Sequence, residues 1–434
     1  MQNEDHPACR FKVFLIATLL MACHLPASAA GSLCFSCSAD NDLWRVASQN
    51  GIDAKRFETP QAAVEAAGVG DGVLVLADGY PTATTQIPAE VFASAATKAL
   101  RLYVEFPASL PGLKVGAPRA HHRGMYGSNL DREVVTSDAF GTALRRSTIL
   151  MVHGCHFVPI QATNAHIVAA HVAGYNTALF GLPEKDTWPI LFEHPGARIL
   201  VATTKLSHFV TGRYAPTEAW EPVWLMILRW LQPGNKVAGL KWTPLVRPTY
   251  ARASALPAEA ELQALQRGID WFGRSKLFLE PSGRKGFHEG YSSKEFFMDG
   301  SHAISTQVRT DCHGEVAMSL ALGAAITGNA QWGEVATNLL DFIYRDSIAG
   351  RGTRLDPKHP AYGLIGGDLL VDSGVYYGDD SCRHLLGTVA SAAVFHSPRW
   401  DDRAALEMLA NFRTTGPSGF RKARIDEPEL VAQG

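Results

Sequence analysis

The stretch Gly72-Val-Leu-Val-Leu-Ala-Asp-Gly-Tyr80 contains an unbroken apolar run, residues 73–77, that is followed directly by Asp-Gly. A run of this length is typical of a strand that is buried on both faces of a parallel sheet. The Asp-Gly pair then supplies a turn at which the strand ends. This stretch therefore predicts an α/β fold with helices on both sides of the sheet.

The residues around this strand extend the same pattern from about 38 to 235. Further strands are predicted over 100–106, 149–152 and 199–202, and helices over 42–50, 62–67, 88–99 and 217–231. Alternating strands and helices are typical of a parallel sheet covered by helices. We therefore predict an α/β domain over 38–235.

The chain changes character after a proline-containing linker, predicted over 236–256. Apolar residues then recur at helical spacing, with Leu262, Leu265 and Ile269 on one face of a helix over 258–272. Further helices are predicted over 315–327, 332–344, 384–395 and 403–412. Paired helices with long loops predict an all-α domain of the α/α-toroid type over 257–434, with ligands bound where the loops converge.

The first thirty residues have the pattern of an export signal. Arg10 and Lys12 precede an apolar segment over 13–23, and Ala27-Ser28-Ala29 matches a cleavage site for secretion. Cys23 offers a second route, in which a lipid attached to this cysteine anchors the protein. Both routes predict a protein that works outside the cytoplasm, in the periplasm or secreted.

Charge and hydropathy exclude two classes of partner. Lys and Arg number 40 against 42 Asp and Glu, which gives a net charge of -2. A nucleic-acid-binding protein usually carries a basic face, so we expect no nucleic-acid partner. No apolar stretch reaches the roughly 18–20 residues that span a bilayer, so we expect no transmembrane segment.

Cysteine and histidine patterns leave several alternatives. Cys34 and Cys37 are spaced as a redox pair or half of a zinc site, but no second such pair exists, so a surface disulfide or unimportant thiols are the favoured interpretation. Cys155 near His153 suggests a nucleophile pair, against an ordinary packing role. No spacing matches a zinc pattern, so neither a metal nor another cofactor is predicted.

The first domain resembles the α/β fold of class I glutamine amidotransferases, in the variant found beside carbohydrate enzymes. The resemblance rests on the stretch 72–80, on Leu102-Tyr-Val-Glu-Phe-Pro107 and on Ile199-Leu-Val-Ala-Thr-Thr-Lys-Leu-Ser-His208. That family places a nucleophilic cysteine directly after a strand. Here the strand ends carry none, so the resemblance implies the fold without the amidotransferase activity.

The second domain resembles the start of a six-hairpin, (α/α)6-barrel glycosidase. The resemblance rests on Val308-Arg-Thr-Asp-Cys-His-Gly-Glu315, on Ala361-Tyr-Gly-Leu-Ile-Gly366 and on Val375-Tyr-Tyr-Gly-Asp-Asp380. Six hairpins need twelve helices, and about five are predicted here. We therefore expect a partial barrel, incomplete at its C-terminal end, which either is truncated or is completed by another chain or by a second copy.

Cleavage of a glycosidic bond requires two carboxyl groups that face one cavity. Adjacent Asp379 and Asp380 form the stronger pair, because they repel each other and follow two aromatic residues that suit a sugar. Asp311 and Glu315 form a second pair at the start of a helix. The structural alternative for each pair is capping of that helix.

Cations and aromatic residues near these acids predict the substrate class. Arg309, His313 and Arg383 lie within a few residues of the acids, and arginine binds carboxylates through two hydrogen bonds. The alternative is ion pairing with the local acids. The predicted substrate-binding residues are Arg309, His313, Tyr376, Tyr377, Arg383 and Glu289.

These residues predict an exported protein that hydrolyses a glycosidic bond in a glycan. The nearby arginines make a uronate-containing glycan one of the predicted substrates. A polysaccharide lyase on the same barrel is the first alternative, with Tyr376, Tyr377 or His313 as base and Arg309 neutralising the uronate. A non-catalytic glycan-binding protein is the second, and the incomplete barrel favours it.

Overall fold

The computed structural model describes residues 32–433 except 121–132, 142, 151, 153–154, 175–176, 213–216, 235–237, 252 and 297–300. The predicted export signal, Cys23 and His153 lie outside the described residues. Within the described part of the chain, no helix is long and apolar enough to cross a membrane. The chain divides into two compact units. Most described residues up to Thr243 belong to the first unit, and the residues from Pro244 onward belong to the second.

The first unit is built on a mixed β-sheet. Its strands are β1 (Leu33–Ser36), β2 (Ala54–Phe57), β3 (Gly72–Val75), β4 (Arg101–Glu105), β5 (Arg119–Ala120), β6 (Glu133–Thr136), β7 (Ile149–Leu150), β8 (His156–Phe157), β9 (Ile167–Ala170), β10 (Trp188–Glu193) and β11 (Ile199–Ala202). Nine of them form one sheet in the order β2-β1-β3-β4-β11-β10-β9-β6-β7. The short strands β5 and β8 pair separately.

The sheet is parallel only in part, which corrects the expectation of a parallel sheet throughout. Strands β2, β1, β3, β4 and β11 run parallel. Strands β10, β9, β6 and β7 continue the sheet in antiparallel pairing. The residues of β3 are all buried, as expected for a strand covered on both faces.

The described part of this unit contains the α-helices α1 (Asp42–Gln49), α2 (Pro60–Ala66), α3 (Ala89–Thr97) and α4 (Thr217–Leu231). Local chemistry fixes their starts. The Asn41 side chain accepts the backbone N–H groups of Leu43 and Trp44 at the start of α1. The Thr59 hydroxyl accepts the N–H of Ala62 at the start of α2, where Pro60 occupies the first turn. The α/β character of this unit is thus confirmed.

The second unit is mainly helical. Its helices are α5 (Ala260–Arg274), α6 (Thr310–Thr327), α7 (Ala330–Asp341), α8 (Gly378–Phe395), α9 (Asp401–Arg413) and α10 (Glu427–Gln433). Two small antiparallel pairs accompany them, β12 (Gly290–Phe296) with β13 (His302–Ser305) and β14 (Val375–Tyr377) with β15 (Arg424–Asp426). These strands were not predicted from the sequence, and α6 and α8 begin several residues before their predicted starts at 315 and 384.

Helices α6 and α8 lie side by side and run in the same direction. Their first turns meet, because a Cβ on Gly314 would fall 2.2 Å from the Cα of His384. Their last turns both approach Gly333 of α7, where an added Cβ would lie 3.4 Å from Phe395 and 3.7 Å from Ala324. Glycine is required at the close approach of the first turns, because a Cβ on Gly387 would also fall 2.1 Å from the carbonyl oxygen of Gly314.

Replacing Gly314 with alanine should lower the free energy of unfolding of the helical unit by about 3 kcal/mol or more, because backbone atoms occupy the space of the new methyl group. The matched control is Gly268→Ala in α5, where no heavy atom lies within 4 Å of the new Cβ. That control should be neutral or should stabilise by up to about 1 kcal/mol. Urea denaturation of both variants measures the difference, and equal stabilities would contradict this close approach.

Candidate functional site

Arg309 is the centre of a cluster of acidic side chains in the helical unit. Its Nη1 atom lies 3.1 Å from Oε1 of Glu289. Its Nη2 atom lies 3.2 Å from Oδ2 of Asp311 and 2.8 Å from Oδ1 of Asp380. The structure thus brings together four of the predicted site residues. They form one ion-pair cluster in which a single guanidinium group faces three carboxylates.

The local fold explains this convergence. Asp311 lies in the first turn of α6 and Asp380 in the first turn of α8. Because the two helices start side by side, their first turns face each other, and Arg309 directly precedes α6. Negative side chains are also favourable near helix N-termini, where the helix dipole is positive.

The alternative that these acids cap their helices through hydrogen bonds to backbone N–H groups is wrong. The residues at the cap positions are Arg309 before α6 and Tyr377 before α8, and neither helix has a side-chain cap. Asp311 and Asp380 therefore direct their carboxylates to Arg309 and not to the free backbone N–H groups of their helices.

Burial gives the two aspartates unusual chemistry. Each is only 3% exposed. Oδ1 of Asp311 and Oδ2 of Asp380 have no hydrogen-bond partner among the described residues. Burial and the negative charge of Asp311 raise the pKa of Asp380 to about 6, against the opposing effect of Arg309. Near neutral pH, Asp380 can hold or release a proton, which is the property of a general acid.

The pKa of Asp380 predicts how stability varies with pH. Its value of about 6 lies above the ordinary 3.8, so the folded chain holds a proton between these values that the unfolded chain has lost. This proton adds roughly 2–3 kcal/mol to the free energy of unfolding below about pH 4. That contribution is lost as the pH rises through about 6.

The Asp380→Asn variant should lack this contribution to the pH dependence. Denaturation curves measured from pH 4 to 7 should show a smaller fall in stability for this variant than for the unaltered chain. Asp379→Asn is the control, because the Asp379 side chain is 60% exposed. Parallel curves for Asp380→Asn and the unaltered chain would show that Asp380 does not titrate in this range.

The charge of Asp379 adds to the raised pKa of Asp380, as predicted from their adjacency, but less than burial and Asp311 do. The Asp379 carboxylate lies 3.9 Å from Arg383. Arg383 is half exposed and also lies 3.5 Å from Glu315 and 3.8 Å from Asp311. Arg383 thus links the exposed acids to the rim of the cluster through long contacts, and the buried carboxylate pair is Asp311 with Asp380.

His313 and Tyr376 are fully engaged within the unit. One ring nitrogen of His313 bonds the Arg309 carbonyl at 2.8 Å, and the other accepts the N–H of Phe287 at 2.9 Å. Burial lowers the pKa of His313 to about 4. The Tyr376 hydroxyl donates to Glu427 at 2.7 Å. Neither side chain is placed to contact a substrate, so both predicted binding roles lose support.

The remaining predicted contacts lie beside the cluster. Glu289 accepts a hydrogen bond from the Ser305 hydroxyl at 3.0 Å, which orients it toward Arg309. Tyr377 ends β14 and is partly buried, and the guanidinium of Arg424 lies 5.8 Å from its ring centre. Tyr377 is thus the aromatic side chain nearest in sequence to Asp380 that stays partly accessible.

The sequence analysis missed a buried pair behind Asp380. Nε2 of His384 lies 2.7 Å from Oε2 of Glu407, and both side chains are fully buried. The other ring nitrogen of His384 bonds the backbone carbonyl of Asp380 at 2.9 Å. This pair supports the first turn of α8 from inside. One sequence signal existed, because Glu407 stands between Ala404 and Ala410 on the buried face of α9.

The candidates of the first unit take packing roles. Cys34 and Cys37 are buried free thiols at and just after β1, so the surface disulfide is wrong. Burial raises the pKa of Cys155 to about 12, which is unsuited to a nucleophile. Within the described residues, no group of three or more His, Cys, Asp or Glu side chains could hold a metal ion.

No protein family, curated protein or solved structure matches this chain.

Proposed function

We propose that the helical unit hydrolyses glycosidic bonds, with Asp380 and Asp311 as its paired carboxylates. The observation that carries the proposal is that both acids are buried, contact the same nitrogen of Arg309 and each keep one oxygen without a partner among the described residues. Two carboxyl groups that share one site but differ in environment are the usual basis of glycosidase chemistry.

Each acid takes a distinct role in this proposal. Asp380, with its pKa raised to about 6, protonates the oxygen of the leaving sugar. Asp311 attacks the anomeric carbon or activates a water molecule. Because both carboxylates contact one nitrogen, their separation is closer to the roughly 5 Å of retaining enzymes than to the 6.5–9.5 Å of inverting ones. We therefore favour retention of configuration.

The substrate contacts are revised by the ion pairs. Arg309 already faces three acids, so its charge is not available for a uronate group. Arg383 is half exposed and makes only contacts of 3.5 Å or longer. A uronate in the substrate would pair with Arg383, and Tyr377 would stack against a sugar ring.

We also propose that the helical unit is part of an α/α toroid and that the first unit has an amidotransferase-like fold. Parallel inner helices α6 and α8, each followed by an outer helix, are the arrangement of consecutive hairpins in an α/α toroid. Apolar side chains exposed on α6, α8 and α9 suit contact with further helices from a partner chain or a second copy. They are Leu322, Ile326, Leu386, Val389, Leu409 and Phe412. For the first unit, the strand order β2-β1-β3-β4-β11 suits the amidotransferase-like fold.

Export also remains part of the proposal. It rests on the basic residues, apolar segment and small-residue site within 1–30. A periplasmic or secreted location suits a glycan-acting protein, and attachment through Cys23 is the alternative.

A lyase mechanism has less support than hydrolysis. A lyase needs a free tyrosine or histidine as base and a cation for the uronate. His313, Tyr376 and Arg309 are engaged by neighbouring groups, which leaves only the partly accessible Tyr377 of the predicted bases. A non-catalytic glycan-binding role is favoured by one observation, the 3% exposure of both aspartates.

A panel of oligosaccharides with and without uronates tests the proposal on the full chain. Hydrolysis releases new reducing ends without ultraviolet absorbance, whereas a lyase produces an absorbing unsaturated uronate. Binding without either product would assign the site to glycan recognition and overturn the proposed reaction.

A further inference from the structure

The first unit contains a cavity that the proposed hydrolysis does not use. Its volume is about 820 Å³, which falls within the roughly 300–1,000 Å³ that is usual for small-molecule sites. It is lined by α3 and the residues that follow it, by residues 109–111 and 196–198, and by one residue each of β4 and β11. The lining is mostly apolar, as in most ligand sites.

The floor of this cavity belongs to the face of the sheet opposite to α4. Tyr103 of β4 packs edge-on against Trp224 of α4, with ring centres 6.0 Å apart. Because side chains alternate along a strand, Leu102 lies on the other face. Leu102 pairs with Ile199 of the neighbouring β11, and both residues line the cavity. Two adjacent strands thus supply an apolar floor.

Small side chains of α3 border the space above this floor. Ala89, Ala93 and Ala96 recur at intervals of four and three residues, so they lie on one face of α3. All three are exposed and line the cavity. Between Ala89 and Ala96 this face extends for about 10 Å, since an α-helix rises by about 1.5 Å per residue. The lining therefore runs along α3, which suits an elongated ligand.

One imidazole ties together the two loops that complete the cavity. Nε2 of His194 lies 2.7 Å from the carbonyl oxygen of Pro111. Its Nδ1 atom accepts the N–H of Gly196 at 3.1 Å. The loops on either side of these contacts are thereby fixed relative to each other. A preformed cavity of this kind binds a ligand with little loss of conformational entropy.

Arg198 supplies a positive charge at one end of the cavity. Its Nη1 atom donates to the carbonyl oxygen of Ala99 at 3.2 Å, two residues beyond the end of α3. No carboxylate in the described part of the chain forms an ion pair with Arg198. A guanidinium group has five N–H donors, so further donors are left for a ligand. A single arginine matches one negative charge, and a carboxylate is an anion that it binds through two hydrogen bonds.

We propose that this cavity binds a straight-chain fatty acid, whose carboxylate pairs with Arg198 and whose alkyl chain lies along α3. The apolar floor and the alanine face remove the chain from water, while the cation at the end selects a monoanion. This site lies in the first unit and does not depend on the proposed hydrolysis.

Calorimetric titration of the full chain with hexanoate, octanoate and decanoate tests the proposal. Each added pair of CH₂ groups should tighten binding by about tenfold, because both groups leave water. The alcohol 1-octanol has an alkyl chain of the same length without the charge, and it should bind about tenfold more weakly than octanoate. Absence of decanoate binding, an affinity that does not rise with chain length, or equal binding of 1-octanol would overturn the proposal.

Three variants locate the site. Ala93→Leu fills part of the cavity from an exposed helix position and should weaken octanoate binding by about tenfold or more. Its matched control is Ala66→Leu, at an exposed alanine of α2 outside the lining, which should leave the affinity unchanged. Arg198→Met should abolish the preference for octanoate over 1-octanol, because only the acid carries a charge. An unaltered affinity in Ala93→Leu, an equal loss in Ala66→Leu, or an equal loss of both ligands in Arg198→Met would contradict the assignment, the last because Arg198 would then only hold the end of α3.

Discussion

Asp380→Asn should lower the rate of glycan hydrolysis by about 10²–10⁴-fold, the usual contribution of a general acid. Asparagine keeps the shape of the side chain and can still contact Arg309 through its carbonyl oxygen, so the fold should persist. The amide cannot donate a proton to a departing sugar oxygen. Initial rates on the best oligosaccharide of the panel measure the loss, and circular dichroism checks the fold.

The leaving group separates the roles of the two acids. A phenol of low pKa leaves an aryl glycoside without protonation, so Asp380→Asn should keep most of its kcat/KM on that substrate, which reports the first step, although hydrolysis of the glycosyl-enzyme still lacks its base. Asp311→Asn should lose activity on both substrates, because either leaving group departs in the same displacement in which Asp311 acts on the anomeric carbon. Equal losses on both substrates for the two variants would contradict this assignment of roles.

Two observations serve as controls for this result. Asp379→Asn should keep nearly the full rate, because its side chain is 60% exposed and lies 3.9 Å from Arg383. In the unaltered chain, the rate should fall as the pH rises through about 6, where Asp380 loses its proton. That fall should be absent from the residual activity of Asp380→Asn.

Much of the first unit could be predicted from the sequence, because buried parallel strands form unbroken apolar runs. β3, β4 and β11 are such runs and were predicted. β1 was missed, although its four residues are all buried, because the spacing of Cys34 and Cys37 suggested a motif instead of a strand. Of the antiparallel strands, β7 lies within the strand predicted over 149–152, whereas β6, β9 and β10 were missed because no predicted helix alternates with them.

The site could be predicted as a set of residues but not as a geometry. Arg309 and Asp380 lie 71 positions apart, and nothing local specifies that they meet. The choice between Asp379 and Asp380 depends on where α8 begins. Since α8 starts at Gly378, its first turn directs Asp380 inward and Asp379 to solvent. A helix assigned from residue 384 could not make this distinction.

Arg309→Met should destabilise the helical unit by about 3–5 kcal/mol at pH 7, the usual cost of removing one partner from a buried ion pair. Methionine fills much of the same volume, so the loss reports on charge. Without the guanidinium, the carboxylates of Asp311 and Asp380 would face each other in a buried site with no cation between them. Urea denaturation at pH 7 measures the change.

Arg383→Met is the matched control, because the same substitution removes an arginine from the rim of the same cluster. The Arg383 side chain is 48% exposed and its contacts are 3.5 Å or longer, so its loss should cost at most about 1 kcal/mol. Similar losses in the two variants would show that Arg309 does not hold the acids together.

The double variant Arg309→Met with Asp380→Asn tests the coupling directly. Asparagine removes one of the opposed charges, so the double variant should be more stable than Arg309→Met alone. The interaction free energy in this cycle should fall within about 0.5–3 kcal/mol, as for residues in one ion-pair network. The destabilisation by Arg309→Met should also shrink as the pH falls below 6, because Asp380 then takes up a proton. A loss that stays constant from pH 7 to pH 4 and adds independently to that of Asp380→Asn would mean that Arg309 stabilises through packing. The charge of Arg309 would then not be what holds the carboxylates of Asp311 and Asp380 near each other, and the proposed acid pair would lose its structural basis.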